Sequence, residues 1–283
     1  MNELNAKIIV CCHKPDIWKE SDIYLPVQGG KAISQIDLEI QGDNSGDNIS
    51  IKNKTYCELT SLYWAWKNLK GVDYLGLCHY RRYFNFHTKG SAFSDFTSIK
   101  TENFNQLDLS TPNFDKLFQR YDIVLAKPRS YSHSIFIDYC VAHFSEDIIK
   151  LEHIIERKYP EYKDSMVKLF HESNKISHYN MFIMKWNILD QYCKWLFDVL
   201  AEAEKEINIS NYSEPQKRIW GYMGERLLLL LFVYHHQLKV KYYPVYFIND
   251  YIQLKSVFHR FQRYLRKNIA FAMIKERNKK KPR

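Results

Sequence analysis

The feature that most constrains this chain is a set of short apolar runs, each ended abruptly by basic residues. Ile8-Ile9-Val10-Cys11-Cys12 stops at His13-Lys14-Pro15, Asp73–Cys78 runs straight into His79-Tyr80-Arg81-Arg82, and Asp122–Ala126 stops at Lys127-Pro128-Arg129. Brief apolar runs of this kind, bounded by turn residues, read as buried strands. Between them lie segments of helical spacing. Lys54–Leu69 puts Leu59, Leu62, Tyr63 and Trp66 on one face, and residues 138–158 and 187–206 read as further helices. Met181–Met184 reads as a fourth strand and Val240–Phe247 as a last one, while residues 41–48, 87–113 and 213–225 read as loops, the last leading into an apolar helix through Tyr234. Strands alternating with helices predict an α/β domain with a mostly parallel central sheet flanked by helices.

In such sheets ligands bind beyond the carboxyl ends of the strands. His13, Lys14, His79, Arg81, Arg82, Lys127 and Arg129 would then converge on one rim. Guanidinium forks match phosphate oxygens, and lysine supplies a point charge. A nucleotide diphosphate suits such a rim, both as ligand and as the leaving group of glycosyl transfer, where fixed positive charge stabilises the transition state. The alternative is that Arg81 and Arg82 pair with carboxylates of a neighbouring helix. The chain has neither a Walker loop nor G-x-G-x-x-G, which leaves P-loop and dinucleotide readings without support. Gly29-Gly30 either lets backbone approach a ligand or only makes a turn.

An Asp-x-Asp pair after a central strand would hold a divalent ion against a diphosphate. Here His79-Tyr80-Arg81-Arg82 stands in that place, and Asp37, Glu39, Asp43 and Asp47 follow no such strand. The expectation is therefore that no metal is required, with Mn or Mg as the alternative. A transferase also needs a base for the acceptor hydroxyl. Glu225, after Trp220–Gly224 and at the start of the apolar helix, is the first candidate; capping that helix or pairing with Arg226 is its other reading. Glu58 is the second candidate, or a residue that orients Arg81 or Arg82. His235-His236 reads as structural.

The formal net charge of +9 is not evenly spread: from Lys255 to Arg283 there are eleven Lys or Arg and one acid, Glu276. Phe258, Phe261, Leu265, Ile269 and Ala272 recur there at helical spacing beside Met273, with Arg260, Arg263, Arg266 and Lys267 among them. This reads as a basic amphipathic tail for an anionic membrane surface, or as a C-terminal helix packed on the domain. The expected division is a domain over residues 1–254 and a tail over 255–283. The six cysteines form no C-x-x-C pair and read as reduced thiols. The polar N-terminus lacks signal-peptide character, and the longest apolar run, Leu227–Tyr234, falls well short of a membrane span. The expected location is cytoplasmic, peripheral at the inner face of the membrane.

Several stretches also carry a resemblance. Asp47–Ser50, Tyr56–Asn68 and Tyr74–Phe84, with His13–Pro15, Pro26–Gly30, Asn180–Phe182 and Gly221–Leu227, resemble a bacterial capsular and exopolysaccharide family long catalogued as a domain of unknown function. Its better-understood members are glycosyltransferases, galactofuranosyltransferases among them. The resemblance covers roughly residues 7–250 and implies a GT-A-like nucleotide-sugar fold. It implies transfer of a hexosyl group from a UDP-sugar to a lipid-linked glycan acceptor. On this reading His13, Lys14, Gly29, Gly30, Asn48, Tyr63, His79, Tyr80, Arg81 and Arg82 would bind the donor, and Trp64 could join Tyr63 at the pocket. Asn180, Met181 and Tyr222 would meet the acceptor, and Glu225 would act with Arg81 and Arg82 in catalysis. Two other readings stay open: a non-catalytic nucleotide- or glycan-binding partner of an assembly complex, and a nucleic-acid-binding module using the tail. No nucleic acid is expected on the first reading.

Overall fold

The computed structural model describes residues 5–88, 95–251 and 257–279. In chain order the strands are β1 (Ala6–Cys12), β2 (Tyr24–Gln28), β3 (Gln41–Gly42), β4 (Tyr74–His79), β5 (Arg82–Phe84), β6 (Phe96–Ile99), β7 (Ile123–Ala126), β8 (Arg129–Ser130), β9 (Lys175–Ile176), β10 (Phe182–Lys185), β11 (Val240–Tyr243) and β12 (Val245–Ile248). The helices are α1 (Asn53–Tyr56), α2 (Leu59–Asn68), α3 (Phe114–Leu117), α4 (Ile135–Ala142), α5 (Ser145–Lys158), α6 (Lys163–Glu172), α7 (Trp186–Glu206), α8 (Ile219–Met223), α9 (Leu229–His235) and α10 (Val257–Lys279).

The central sheet runs β11-β7-β10-β4-β1-β2-β3. Within it β10 alone is antiparallel to its neighbours, β4 and β7. The sheet is thus mostly parallel, as the alternation predicts, but the fourth strand runs the other way. Side chains alternate across it as strand geometry requires. Ile9, Cys11, Leu75, Leu77, Leu125 and Phe182 join the helices of one core. Ile8, Val10, Cys12, Cys78, Val124 and Ile183 join an aromatic core on the opposite face with Tyr24, Tyr83, Phe104 and Phe118. Where β4 meets β10 only glycine fits, since a Cβ on Gly76 would lie 2.9 Å from the Phe182 carbonyl oxygen.

Several expected elements are broken. The helix expected over Lys54–Leu69 is two, because Cys57 takes a left-handed φ of 52° between α1 and α2. The segment 138–158 also divides, at His143-Phe144. Residues 213–225 are largely helical: α8, a π-turn over Gly224–Leu228 and α9 run on from one another. Val240–Phe247 is two strands split at Pro244, which has no N–H for a ladder, so β11 joins β7 while β12 joins β5 and β6. The strand Tyr24–Gln28 was not expected; its alternation is masked because β2 is buried on both faces. All six cysteines are free thiols. Lys255, the boundary expected at 254 and the basic end from 280 lie outside the described residues.

Candidate active site

Three parallel strands end on one rim. β1 delivers His13, β4 delivers Tyr80 and Arg81, and Arg129 follows β7; all line a cleft of about 830 Å³. Because β10 is antiparallel, it starts where the others end. The residues before it, His178 and Tyr179, therefore reach the same rim. The π-turn supplies Glu225 and Arg226, and the start of α2 supplies Glu58. A π-turn inside a helix is a frequent mark of a functional site.

Tyr179 and Asn180 both hold left-handed backbone, with φ of 79° and 54°. Such conformations cost about 1–3 kcal/mol each and persist where surroundings fix them. Here the surroundings are the site. The Tyr179 N–H donates to Glu225 Oε1 at 2.7 Å, and its carbonyl accepts from His79 Nε2 at 2.5 Å. Its hydroxyl accepts from Arg129 Nη2 at 3.2 Å, and the Arg82 guanidinium lies 4.9 Å from its ring centre. Asn180 Nδ2 donates to Glu58 Oε1 at 3.0 Å.

The two carboxylates are driven apart. Burial, with the Glu225 charge nearby, pushes Glu58 up to about 7. Burial acts in the same direction on Glu225, but His178, the Tyr179 N–H and Arg226 outweigh it and bring that carboxyl down to about 2. Paired carboxyls set in opposite directions mark acid–base assignments. Burial, together with Arg82, brings His79 down to about 4, so it is neutral. Its partner is a carbonyl, so Nε2 carries the proton. His13 is lowered too, by burial and then by Lys14, Arg218 and Arg82.

The cleft arginines fall into two sets. Arg81 is paired with Asp16, Arg129 with Asp95 and Arg226 with Asp138, at 2.7, 2.6 and 3.0 Å. Arg82 and Arg218 pair with no carboxylate among the described residues. Arg82 lies over Tyr179 and Phe247 with its buried Nε unsatisfied, and Arg218 donates from Nε to Cys57 Sγ at 3.1 Å and lies over Tyr222. Burial and the nearby Glu58 keep the Cys57 thiol protonated, up at about 11. Two guanidiniums with no carboxylate partner among the described residues, close to His13, have the chemistry to accept phosphate oxygens.

Of the residues expected at the site, His13, Gly29, His79, Tyr80, Arg81, Arg82, Tyr222 and Glu225 line the cleft. Others do not. Lys14 and Lys127 are outside its lining, Lys14 on the exposed surface. Asn48 closes a turn, its side chain bonded to the Gly46 carbonyl and the Ser50 N–H. Tyr63 packs edge-on against Trp66 and Phe197 between α2 and α7 and bonds Asp47. Trp64 is buried with its indole N–H on Ser45. Met181 is sealed in the core, so no acceptor reaches it, and Asn180 is fully buried and holds Glu58 instead. Gly30 is a turn residue with φ of 69°, its N–H held by Asp43. The buried Asp43 also accepts from Lys31 N–H, Thr60 and Ser50, which makes it a loop staple rather than a metal ligand. Arg81 is locked onto Asp16, against the expectation of a joint Arg81–Arg82 cradle. Glu225 is in the cleft as expected, but its carboxyl, brought down to about 2, is a weaker proton acceptor than that of Glu58.

Arg218, His178, Tyr179 and Tyr131 also line the cleft, and the sequence gives no sign of them because none directly follows one of the apolar runs; β8 and β9, two residues each, leave no such run. Among the described residues no three His, Cys, Asp or Glu side chains converge as metal ligands. A second depression, of about 590 Å³ against β11 and α9, carries no such paired carboxyls.

A family model for a domain of unknown function, DUF4422, matches residues 7–239. The chain belongs to the DUF4422 family. This DUF4422 chain is similar in fold to the apo structure of WbbM, a bifunctional glycosyltransferase. The two share 32% identity with a TM-score of 0.77, over 89% of this chain and 47% of WbbM. The DUF4422 chain thus spans about half the length of WbbM. No curated protein matches it. No helix among the described residues is long and apolar enough to cross a membrane.

Proposed function

We propose that this chain is a glycosyltransferase that moves a hexosyl group, galactofuranosyl first among them, from a UDP-sugar to a lipid-linked glycan acceptor. The pathway would be capsule, O-antigen or exopolysaccharide synthesis, at the cytoplasmic face of the membrane. The observation that carries the reading is one cleft holding a carboxyl at about 7, Glu58, and two arginines, Arg82 and Arg218, with no carboxylate partner among the described residues. The likeness to WbbM and the mostly parallel sheet support the GT-A-like assignment.

In this mechanism Arg82 and Arg218 hold the diphosphate, with His13 beside them. Glu58, in its carboxylate form, takes the proton of the acceptor hydroxyl. The hydroxyl oxygen attacks the anomeric carbon, the bond from that carbon to the phosphate oxygen breaks, and UDP leaves against the two guanidiniums. Direct displacement inverts the anomeric centre. Glu225 stays charged; it raises Glu58 and anchors Tyr179. Arg81, tied to Asp16, braces the wall. Tyr222, stacked on His143, faces the cleft where the acceptor would enter. The arginines replace a divalent ion in this scheme. Residues 1–254 form the catalytic unit and 255–283 the tail. A thermal-shift series with UDP, UDP-sugars and either Mn or Mg tests this directly: UDP and at least one UDP-sugar should raise the melting temperature without metal. No shift with any of them sinks the reading.

A further inference from the structure

Helix α10 turns an apolar row away from the rest of the chain. Contacts that hold its inner side include three made by Lys267, Asn268 and Lys275. The Lys267 ammonium sits 4.8 Å from the Tyr131 ring centre, Asn174 Nδ2 donates to Asn268 Oδ1 at 3.5 Å, and Lys275 pairs with Glu172 at 3.2 Å. On the outer side Leu265, Ile269 and Met273 recur every four residues, with Phe258 in line two turns earlier. Phe258, Ile269 and Met273 are 64, 57 and 67% exposed. Arg263 and Arg266 flank this row and are exposed as well. A helix that serves only its own core turns its apolar stripe inward. In α10, of the row anticipated from spacing, Phe261 is half-buried and the rest face out.

We propose that this outer face of α10 docks on an anionic lipid bilayer, with Phe258, Leu265, Ile269 and Met273 in the headgroup–acyl boundary and Arg263 and Arg266 among the headgroups. Charge complementarity selects the occupant. The tail carries eleven basic residues against one acid, which favours an anionic surface, and the apolar row needs an apolar phase beside it. Nucleic acid would satisfy the charges and leave the row in water. Tyr131, under Lys267, lines the cleft, so docking brings that wall of the cleft to the lipid surface. The inference does not depend on the catalytic reading; if both hold, the enzyme meets a lipid-linked acceptor already seated.

The test uses the full chain and co-sedimentation with phosphatidylcholine vesicles, with or without phosphatidylglycerol. The wild-type protein should sediment with the anionic vesicles and stay in solution with the neutral ones. The double variant Ile269→Glu/Met273→Glu should bind at least tenfold more weakly at every ionic strength. Arg263→Gln/Arg266→Gln should lose roughly tenfold or more at low salt and much less at high salt. All these positions are exposed, so circular dichroism melts should match wild type. Three results would each overturn the proposal: absence of vesicle binding by the wild type, equal binding by the double-Glu variant, or a salt-sensitive complex with duplex DNA in place of lipid. A self-associated state that the double-Glu variant dissociates, without lipid binding, would also overturn it. Loss of UDP binding in all proteins alike would instead count against the catalytic reading alone.

Discussion

The backbone N–H of Tyr179 lies 2.7 Å from Glu225 Oε1, while the next residue's amide, Asn180 Nδ2, lies 3.0 Å from Glu58 Oε1. One strained dipeptide thus touches both carboxylates. It gives the first a main-chain donor and leaves the second a single amide. That asymmetry helps drive the two carboxyls in opposite directions: His178 and the Tyr179 N–H stabilise charge on Glu225 beyond what burial costs, whereas the Asn180 amide only partly offsets burial at Glu58.

A base with a pKa of about 7 is competent only when deprotonated, so kcat/KM for transfer should fall tenfold per unit as the pH drops below 7 and level off above it. Glu58→Gln should lower transfer by about 10²–10⁴-fold and leave the UDP dissociation constant unchanged. A pH–rate profile of both proteins checks this; a Gln variant that keeps wild-type rates removes Glu58 as base. Stability carries the same signature. The folded pKa of Glu58 is raised, so its contribution is fully present below the unfolded value near 4.5 and is lost as pH rises through about 7. Glu58→Gln should therefore be more stable than wild type at pH 8, by on the order of 1–3 kcal/mol, and equal to it near pH 4.

Asn180 is a positioning residue, and its variants separate backbone from side chain. Asn180→Ala removes the amide from Glu58 and puts a Cβ residue with poor left-handed tolerance at φ 54°, which should cost about 1–3 kcal/mol in urea melts. Asn180→Gly relieves the backbone and still removes the amide. Because that hydrogen bond lowers Glu58, both variants should move the acidic limb of the pH–rate profile upward, the glycine variant with the smaller loss of stability. An unmoved limb in both would show that Asn180 only supports the fold.

The parallel strands and the basic residues after them were legible because a buried strand leaves a β-branched run and its end leaves a turn. The two carboxylates, Glu225 and Glu58, were legible as candidates, but His178 and Tyr179 were not: they precede an antiparallel strand, and strand direction is not written in apolar spacing. Tyr63 and Trp64 misled for a related reason: aromatic residues on a helix satisfy a core as readily as a pocket. Arg81 and Arg82 are neighbours in sequence, yet Arg81 sits in the turn between β4 and β5 and pairs with Asp16, while Arg82 opens β5 and lies over Tyr179.

That division predicts different phenotypes for three arginines. Arg82→Ala and Arg218→Ala should each weaken UDP binding about 10–100-fold, the loss of one or two charge-assisted hydrogen bonds, with little effect on folding. Arg81→Ala should do the reverse. It leaves Asp16, itself nearly buried, without its cation, so stability should drop by about 1–3 kcal/mol while the affinity of the folded protein falls less than fivefold. Calorimetric titration with UDP alongside urea melts distinguishes them. Equal loss of affinity in Arg81→Ala and Arg82→Ala would restore the joint cradle.

Asp43 tests how far the glycine turn depends on its staple. It is fully buried and accepts from the Gly30 and Lys31 N–H groups at 2.9 and 3.1 Å and from Thr60 Oγ1 at 2.6 Å, with Ser50 Oγ as a fourth donor. Asp43→Ala strands four donors, which should cost on the order of 3–5 kcal/mol. Asp43→Asn keeps the shape but turns an NH₂ toward donors, so it too should destabilise, by about 2 kcal/mol or more. Gly29, adjacent to the turn, forms part of the cleft wall, where its would-be Cβ is 3.0 Å from Ser61 Oγ. Whatever fraction of Asp43→Asn folds should therefore bind UDP more weakly than wild type, because that wall is no longer pinned. A urea midpoint and a UDP affinity both equal to wild type would show that the turn holds itself, through Gly30 and the packing of Asn53 against it, without the carboxylate.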